Sequence, residues 1–160
     1  MKNFILVGVL LALCGFAVYP YVALYQLDQA LLEGDDRALR ALLDLDAVRD
    51  HRSALLRRDT ERLIGQGNGA AADFLREGAR LLTDQAVNDI VDMDWVRTQL
   101  RRDGRPGDRR PYPSLLGELA YAFFESYDRF LIRLGALEDD PTYIRLQWAD
   151  WRWRVAAIFG

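Results

Sequence analysis

The pattern of apolar and polar positions divides the chain into three regions. The first is an apolar run of 22 residues, Phe4–Tyr25, without a charged side chain. Residues 27–100 then repeat apolar side chains at intervals of three and four, which is typical of amphipathic helices. After a loop at residues 101–113 the period changes to two, as in half-buried strands. The pattern predicts an α+β fold: an N-terminal transmembrane helix, then several helices packed on a C-terminal three- or four-stranded antiparallel meander.

The apolar run is long enough to cross a membrane. As a helix it would extend about 33 Å, and the hydrocarbon core of a bilayer is about 30 Å thick. Tyr19, Tyr21 and Tyr25 stand near its end, where we expect an aromatic belt at the membrane interface. We therefore predict a transmembrane anchor over residues 1–26 and an α+β domain over residues 27–160. The domain is divided into a helical part (27–100), an Arg/Pro/Gly loop (101–113) and a β-meander part (114–160).

Two alternatives to an uncleaved anchor stay open. A cleaved signal peptide needs a small-x-small site; Ala12 and Gly15–Ala17 are only weak candidates, and the apolar run continues past them. A lipoprotein signal would use Cys14, but Leu13 precedes it where a small residue is expected. Lys2 precedes the run and acidic residues follow it, so the positive-inside rule sets the orientation. We predict a single-pass protein of a bacterial inner membrane, with a cytoplasmic N-terminus and a periplasmic C-terminal domain.

Turn and capping residues divide the helical region. Gly34 is expected to end the first helix, and Asp35 to cap the second. The stretch Asp44–Asp46 predicts the start of a third helix. A further restart is expected near Asp92 or Asp94.

Alternation predicts the strands of the last third. Ala120–Ser126 favours a strand over a helix end, and short turns at residues 136–141 and at Ala149–Asp150 suit antiparallel hairpins. The final strand is expected to present one continuous apolar face, formed by Trp151, Trp153, Val155, Ala157 and Phe159.

The charge of the chain limits the classes of partner that it can bind. The net charge of −3 excludes a global basic field, and we predict no nucleic-acid partner. Residues 101–113 contain five arginines and two aspartates, which give this loop a local charge of +3. A positive loop can contact anionic lipid or an acidic partner, so we name it as the candidate contact surface. Its cations are Arg101, Arg102, Arg105, Arg109 and Arg110.

The sequence predicts no catalytic, cofactor-binding or metal-binding residue. His51 is the sole histidine, so a multi-histidine metal site is excluded. The aspartate clusters lack calcium-loop spacing and are interpreted as helix caps and first-turn charges. We predict that the protein is not an enzyme. The alternative, acid chemistry by Asp89 or Glu125, requires two acids that converge in a cleft.

Several segments together carry a resemblance to a known family. The block YPYVALYQLDQALLEGDDRALRALLDLDAVRD after the apolar run, with FESYDRFLIRL and the Trp-rich C-terminal hairpin, resembles the bacterial domain of unknown function 2939 family. The resemblance implies a short membrane-anchored or exported protein and carries over no functional residue. The order of helices before a curved sheet is also similar to cone-shaped domains of the nuclear-transport-factor-two type, at the level of fold alone.

These observations favour a binding role. We expect a non-catalytic accessory or scaffolding subunit of a bacterial membrane or envelope complex, with membrane lipid and a protein as partners. The alternative is a periplasmic carrier or sensor of a small apolar ligand, held between the helices and the sheet face that carries Trp148, Trp151 and Trp153.

Overall fold

A computed structural model describes residues 2–64, 70–100, 114–135 and 141–160 of the chain. Five helices precede a four-stranded sheet with strand order β1-β2-β3-β4 and antiparallel neighbours throughout. The predicted α+β fold is confirmed. The elements are α1 (Lys2–Glu33), α2 (Asp36–Leu42), α3 (Leu45–Ile64), α4 (Ala70–Ile90), α5 (Met93–Leu100), β1 (Leu119–Ser126), β2 (Arg129–Leu134), β3 (Thr142–Ala149) and β4 (Arg152–Phe159).

Helix α1 joins the apolar run to the domain without a break. It passes through Pro20 and across the predicted boundary between residues 26 and 27, so that boundary falls inside a helix. It is long and apolar enough to be a membrane anchor or a signal sequence. Residues 3–15 are exposed, whereas Leu24 and Leu27 are fully buried against the rest of the protein.

The helix boundaries lie where the sequence predicts them. Gly34 takes a φ of +69°, which glycine adopts without a Cβ clash, and the chain turns there after α1. The Asp35 carboxylate then accepts hydrogen bonds from the backbone N–H groups of Arg37 and Ala38, at 2.9 and 3.0 Å. Asp44 caps α3 in the same way, which confirms the predicted start of that helix.

One face of the sheet forms the core with the helices. On β2, Phe130, Ile132 and Leu134 alternate toward this face and are fully buried. They pack with residues of similar burial from the helices and the other strands, namely Leu24, Leu27, Leu39, Val48, Val91, Val96, Ile144, Leu146 and Trp153. The helices therefore cover the apolar side of the meander, as alternation predicts.

The predicted continuous face of the last strand is wrong. Val155 pairs with Leu146 on the core side, but Ala157 pairs with Arg145, so the register shifts by one residue between them. This β-bulge turns Ala157 and Phe159 to the opposite side of the sheet. Trp151 lies in the turn before β4 and not on its face.

Helix α4 carries both buried and exposed apolar side chains. Val87, near its end, is buried as expected for a core position. In contrast, Phe74, Leu81 and Leu82 are exposed. The spacing of apolar residues indicated the helix but not which of them reach the core.

Candidate interaction groove and aromatic cluster

A groove runs between the second half of α1, helix α2 and the start of β4. Its volume is about 530 Å³. Four alanines, Ala23, Ala30, Ala38 and Ala41, contribute to its walls, and their small side chains leave the space open. Trp153 closes one side.

Local interactions at both ends of α2 fix the position of this wall of the groove. The turn at Gly34 and the cap at Asp35 fold α2 back beside α1. At the other end of α2, Leu43 forms a bridge with Val155 of β4, and the Asp44 N–H donates to the Val155 carbonyl at 3.0 Å. Helix α2 is therefore fixed at both ends, and the groove is built into the fold.

The rim of the groove is polar. It carries the amides of Gln26 and Gln29, the carboxylate of Glu33 and the guanidinium of Arg152. Glu33 is the one carboxylate among the residues that line the groove, so no pair of acids converges there. Apolar walls with a few polar groups are suited to binding and orienting a molecule.

An aromatic cluster joins α1 to the hairpin ends of the sheet. The Phe16 ring lies 6.1 Å from that of Phe124, 5.6 Å from Trp148 and 5.9 Å from Trp153, between ring centroids. The Tyr19 ring stands edge-on to Trp148 at 5.5 Å. Helix α1 thus contacts the sheet from Phe16 onward, within the predicted apolar span.

The tyrosines predicted for the membrane interface take different positions. The Tyr21 hydroxyl donates to the carbonyl of Ala122 at 3.3 Å, and its ring lies 5.0 Å from Phe130. Tyr19 also contacts the sheet, whereas Tyr25 is exposed and lines the groove. Their location at a membrane interface stays a prediction.

A buried carboxylate ties the far part of α1 to the domain. Asp28 is 2% exposed. It accepts a hydrogen bond from the Leu115 N–H at 2.7 Å and one from the Ser114 hydroxyl at 2.9 Å. These residues precede β1, so α1 runs from the hairpin ends of the sheet toward its opposite end.

The opposite face of the sheet carries charged and aromatic side chains. Arg145 donates to both carboxylate oxygens of Glu125, at 2.6 and 3.0 Å, so Glu125 is engaged in an ion pair. The His51 ring lies 5.3 Å from Phe159, where burial and the neighbouring Arg145 lower its pKa below the ordinary value of 6.5. His51 is therefore a half-buried helix-face residue.

The aspartate clusters act in helix capping. Asp92 accepts from the Trp95 N–H at 2.7 Å, as Asp44 does from the Ala47 N–H at 3.0 Å. Asp94 pairs with Arg97 at 3.0 Å. In the described ranges, no three histidine, cysteine or acidic side chains are grouped so that they could hold a metal ion.

The predicted arginine surface lies outside the described residues, as does the Gly-rich stretch at 65–69. Arg101, Arg102, Arg105, Arg109 and Arg110 therefore stay a prediction. The groove was not predicted from the sequence. A signal for it existed, because Ala23 and Ala30 recur at a seven-residue interval on one helix, and Ala38 and Ala41 at a three-residue interval on the next.

The fold and the groove define a small α+β protein with an N-terminal apolar helix that is continuous with its core. A model of a protein family of unknown function, domain of unknown function 2939, matches residues 9–99, and the chain belongs to this family. The matched region covers α1 from Val9 to nearly the end of α5 and stops before the sheet. No curated protein and no solved structure matches the chain.

Proposed function

We propose that this protein is a single-pass, membrane-anchored accessory or scaffolding subunit that acts by binding a protein partner through the groove. The observation that most supports this proposal is that the groove is formed by the same helix that would enter the membrane. Its walls come from α1, α2 and β4, whose relative positions are fixed by Asp35 and by the bridge from Leu43 to Val155. A site joined rigidly to an anchor presents its partner at a fixed height above the bilayer.

The proposed location is a bacterial inner membrane, with the N-terminus in the cytoplasm and the domain in the periplasm. Lys2 before the apolar run supports this orientation. The acidic flank is smaller than the sequence suggests, because Asp28 is buried in the domain. Glu33, Asp35 and Asp36 are exposed and supply negative charge after the run.

Photo-crosslinking from the two helical walls of the groove tests the proposal. We place a photoreactive residue at Gln26 on α1 or at Ala41 on α2, both exposed, in the full chain within its native membrane. The same protein adduct is expected from both positions. Ala54, an exposed alanine on α3, is the matched control, and it should not give this adduct.

The second candidate function, a carrier or sensor of a small apolar ligand, is favoured by the apolar walls of the groove. The space between the helices and the sheet is filled, since Phe130 and Trp153 are almost fully buried, so a ligand would bind in the groove instead. Lipid adducts from Gln26 and Ala41 would support the carrier and contradict the protein partner. Adducts no stronger than those at Ala54 would overturn both.

A further inference from the structure

The length of α1 that is free of the domain is short for a membrane span. Residues 3–15 are exposed, and Phe16 is the first side chain in the aromatic cluster with the sheet. Thirteen helical residues extend about 20 Å, which is less than the roughly 30 Å of a hydrocarbon core. If α1 is the anchor that we propose above, the end of the sheet beside Phe16 has to meet the bilayer.

Two hairpin turns lie at this end of the sheet. One turn, Tyr127–Asp128, joins β1 to β2, and the other, Asp150–Trp151, joins β3 to β4. They are neighbours, because the Trp148 N–H donates to the Asp128 carbonyl at 2.8 Å. The contacts of Asp28 with the chain before β1 lie at the other end, so the free part of α1 extends past the two turns.

Each turn displays an exposed aromatic side chain at its tip. Tyr127 is 81% exposed and Trp151 is 85% exposed. Trp151 also has a φ of +63°, a left-handed conformation that is costly for a bulky residue and that a glycine or asparagine would adopt more easily. The Trp151 ring stands edge-on to Trp148, at 6.5 Å between centroids, but most of its surface stays open. A strained, exposed tryptophan suggests a contact outside the domain.

Cations flank the two tips. Arg129 and Arg152 open β2 and β4 directly after the turns, and both are exposed. Neither guanidinium has an ion-pair partner within the part of the chain that the structure describes. The nearby carboxylates are engaged, since Asp150 pairs with Arg154 at 3.5 Å and Asp128 accepts from the Ser126 hydroxyl at 2.6 Å.

We infer that the two hairpin tips form a lipid-binding surface that seats the domain on the membrane. Tyr127 and Trp151 enter the interfacial layer, where amphipathic aromatic rings are favoured. Arg129 and Arg152 bind the phosphate groups of anionic lipids, for which the planar guanidinium is well suited. The surface rests on the proposed anchoring and adds a second attachment, which fixes the tilt of the domain and the direction of the groove.

Depth-dependent fluorescence tests this surface in the full chain. In a Cys14→Ala background, an environment-sensitive fluorophore is attached at Tyr127→Cys or Trp151→Cys. The protein is reconstituted into vesicles of phosphatidylcholine and phosphatidylglycerol. The control is Leu32→Cys, an exposed position in the last turn of α1, beyond the contacts of Asp28 with the chain before β1.

Blue-shifted emission and several-fold stronger quenching by nitroxide-labelled lipids are expected at both tips relative to position 32. Equal quenching at all three positions, with the protein retained on vesicles after an alkaline carbonate wash, would overturn the lipid surface and leave the anchor intact. Release by the wash would overturn the anchor, and the surface with it. Self-quenching at the tips that disappears on dilution with unlabelled protein would identify a second copy as the occupant and contradict the lipid.

The arginines are tested separately by lipid charge. In the labelled Trp151→Cys protein, the double variant Arg129→Gln and Arg152→Gln should lose the stronger quenching seen with phosphatidylglycerol over phosphatidylcholine alone. Arg58→Gln, an exposed arginine on α3, should keep it. An unchanged dependence on lipid charge in the double variant would remove the arginines from the surface.

Discussion

The residues of α1 on either side of Phe16 belong to the same apolar run, Phe4–Tyr25, and have entirely different surroundings. In residues 3–15 every side chain is exposed. From Phe16 onward, one side of the same helix packs on the sheet, and Leu24 and Leu27 are fully buried there. The domain covers one side of the second half, whereas none of the described residues covers the first half.

This difference shows that an apolar run does not report which medium surrounds it. A window of about 20 apolar residues is long enough for a helix that spans a membrane. The same window also fits a helix of which one half enters a membrane and the other half packs in a protein core. Asp28 marks the second half, because a buried carboxylate with two protein donors belongs in a folded domain. The exposed apolar half of α1 is therefore an extension of the core helix, with no linker between the two halves.

The largest effect is expected from a matched pair of substitutions to alanine, one in each half of α1. Leu24→Ala removes a fully buried side chain and should lower the free energy of unfolding by about 2–5 kcal/mol. Leu10→Ala acts on an exposed position and should change it by less than about 0.5 kcal/mol. Denaturant titration of the detergent-solubilised full chain measures both. Equal effects of the two variants would contradict the division of α1 at Phe16.

A smaller effect is expected where the second half of α1 is tied to the chain before β1. Asp28→Ala leaves the buried N–H of Leu115 without its acceptor, which should cost about 1–3 kcal/mol of unfolding free energy. Asp28→Asn keeps a carbonyl oxygen that can accept from the same N–H, so its loss should be smaller. The same titration compares the two variants. An equal loss in both would mean that charge, not hydrogen bonding, holds this contact.

Much of this fold could be predicted from local signals in the sequence. Gly34, Asp35 and Asp44 mark helix boundaries by their own backbone and side-chain chemistry, and the structure confirms them. The bulge in β4 could not be predicted in this way. Its register shift depends on pairing with β3, and the alternation from Trp153 to Phe159 looks continuous in the sequence.

The candidate surfaces were harder to predict than the fold. Ala38 and Ala41 look like ordinary helix residues, and the groove exists only because the bridge from Leu43 to Val155 holds α2 beside β4. Trp151 was predicted to lie on a strand face, but the turn places it at the tip of a hairpin. Both surfaces depend on contacts between distant residues, which periodicity does not contain.

The smallest expected effect is a pH dependence that belongs to the domain alone. The free half of α1 carries no histidine or acidic side chain, whereas His51 packs on Phe159 beside Arg145. Burial first, and then the positive charge of Arg145, Arg58 and Arg52, lower the pKa of His51. Below pH 6.5 the unfolded chain therefore takes up a proton at His51 more readily than the folded protein, and stability falls as the pH is lowered from that value.

Unfolding free energies measured between pH 7 and pH 5 should show this decrease, and His51→Gln should reduce it. Arg58→Gln is the graded control, because it removes one of the smaller causes that lower the pKa of His51. In this variant the pKa of His51 should rise slightly, and the unfolding free energy should fall less steeply as the pH is lowered. Because the chain has one histidine, NMR titration of the untagged protein reads the same pKa directly from one imidazole. A pKa at or above 6.5 would contradict the half-buried position of His51 against the sheet.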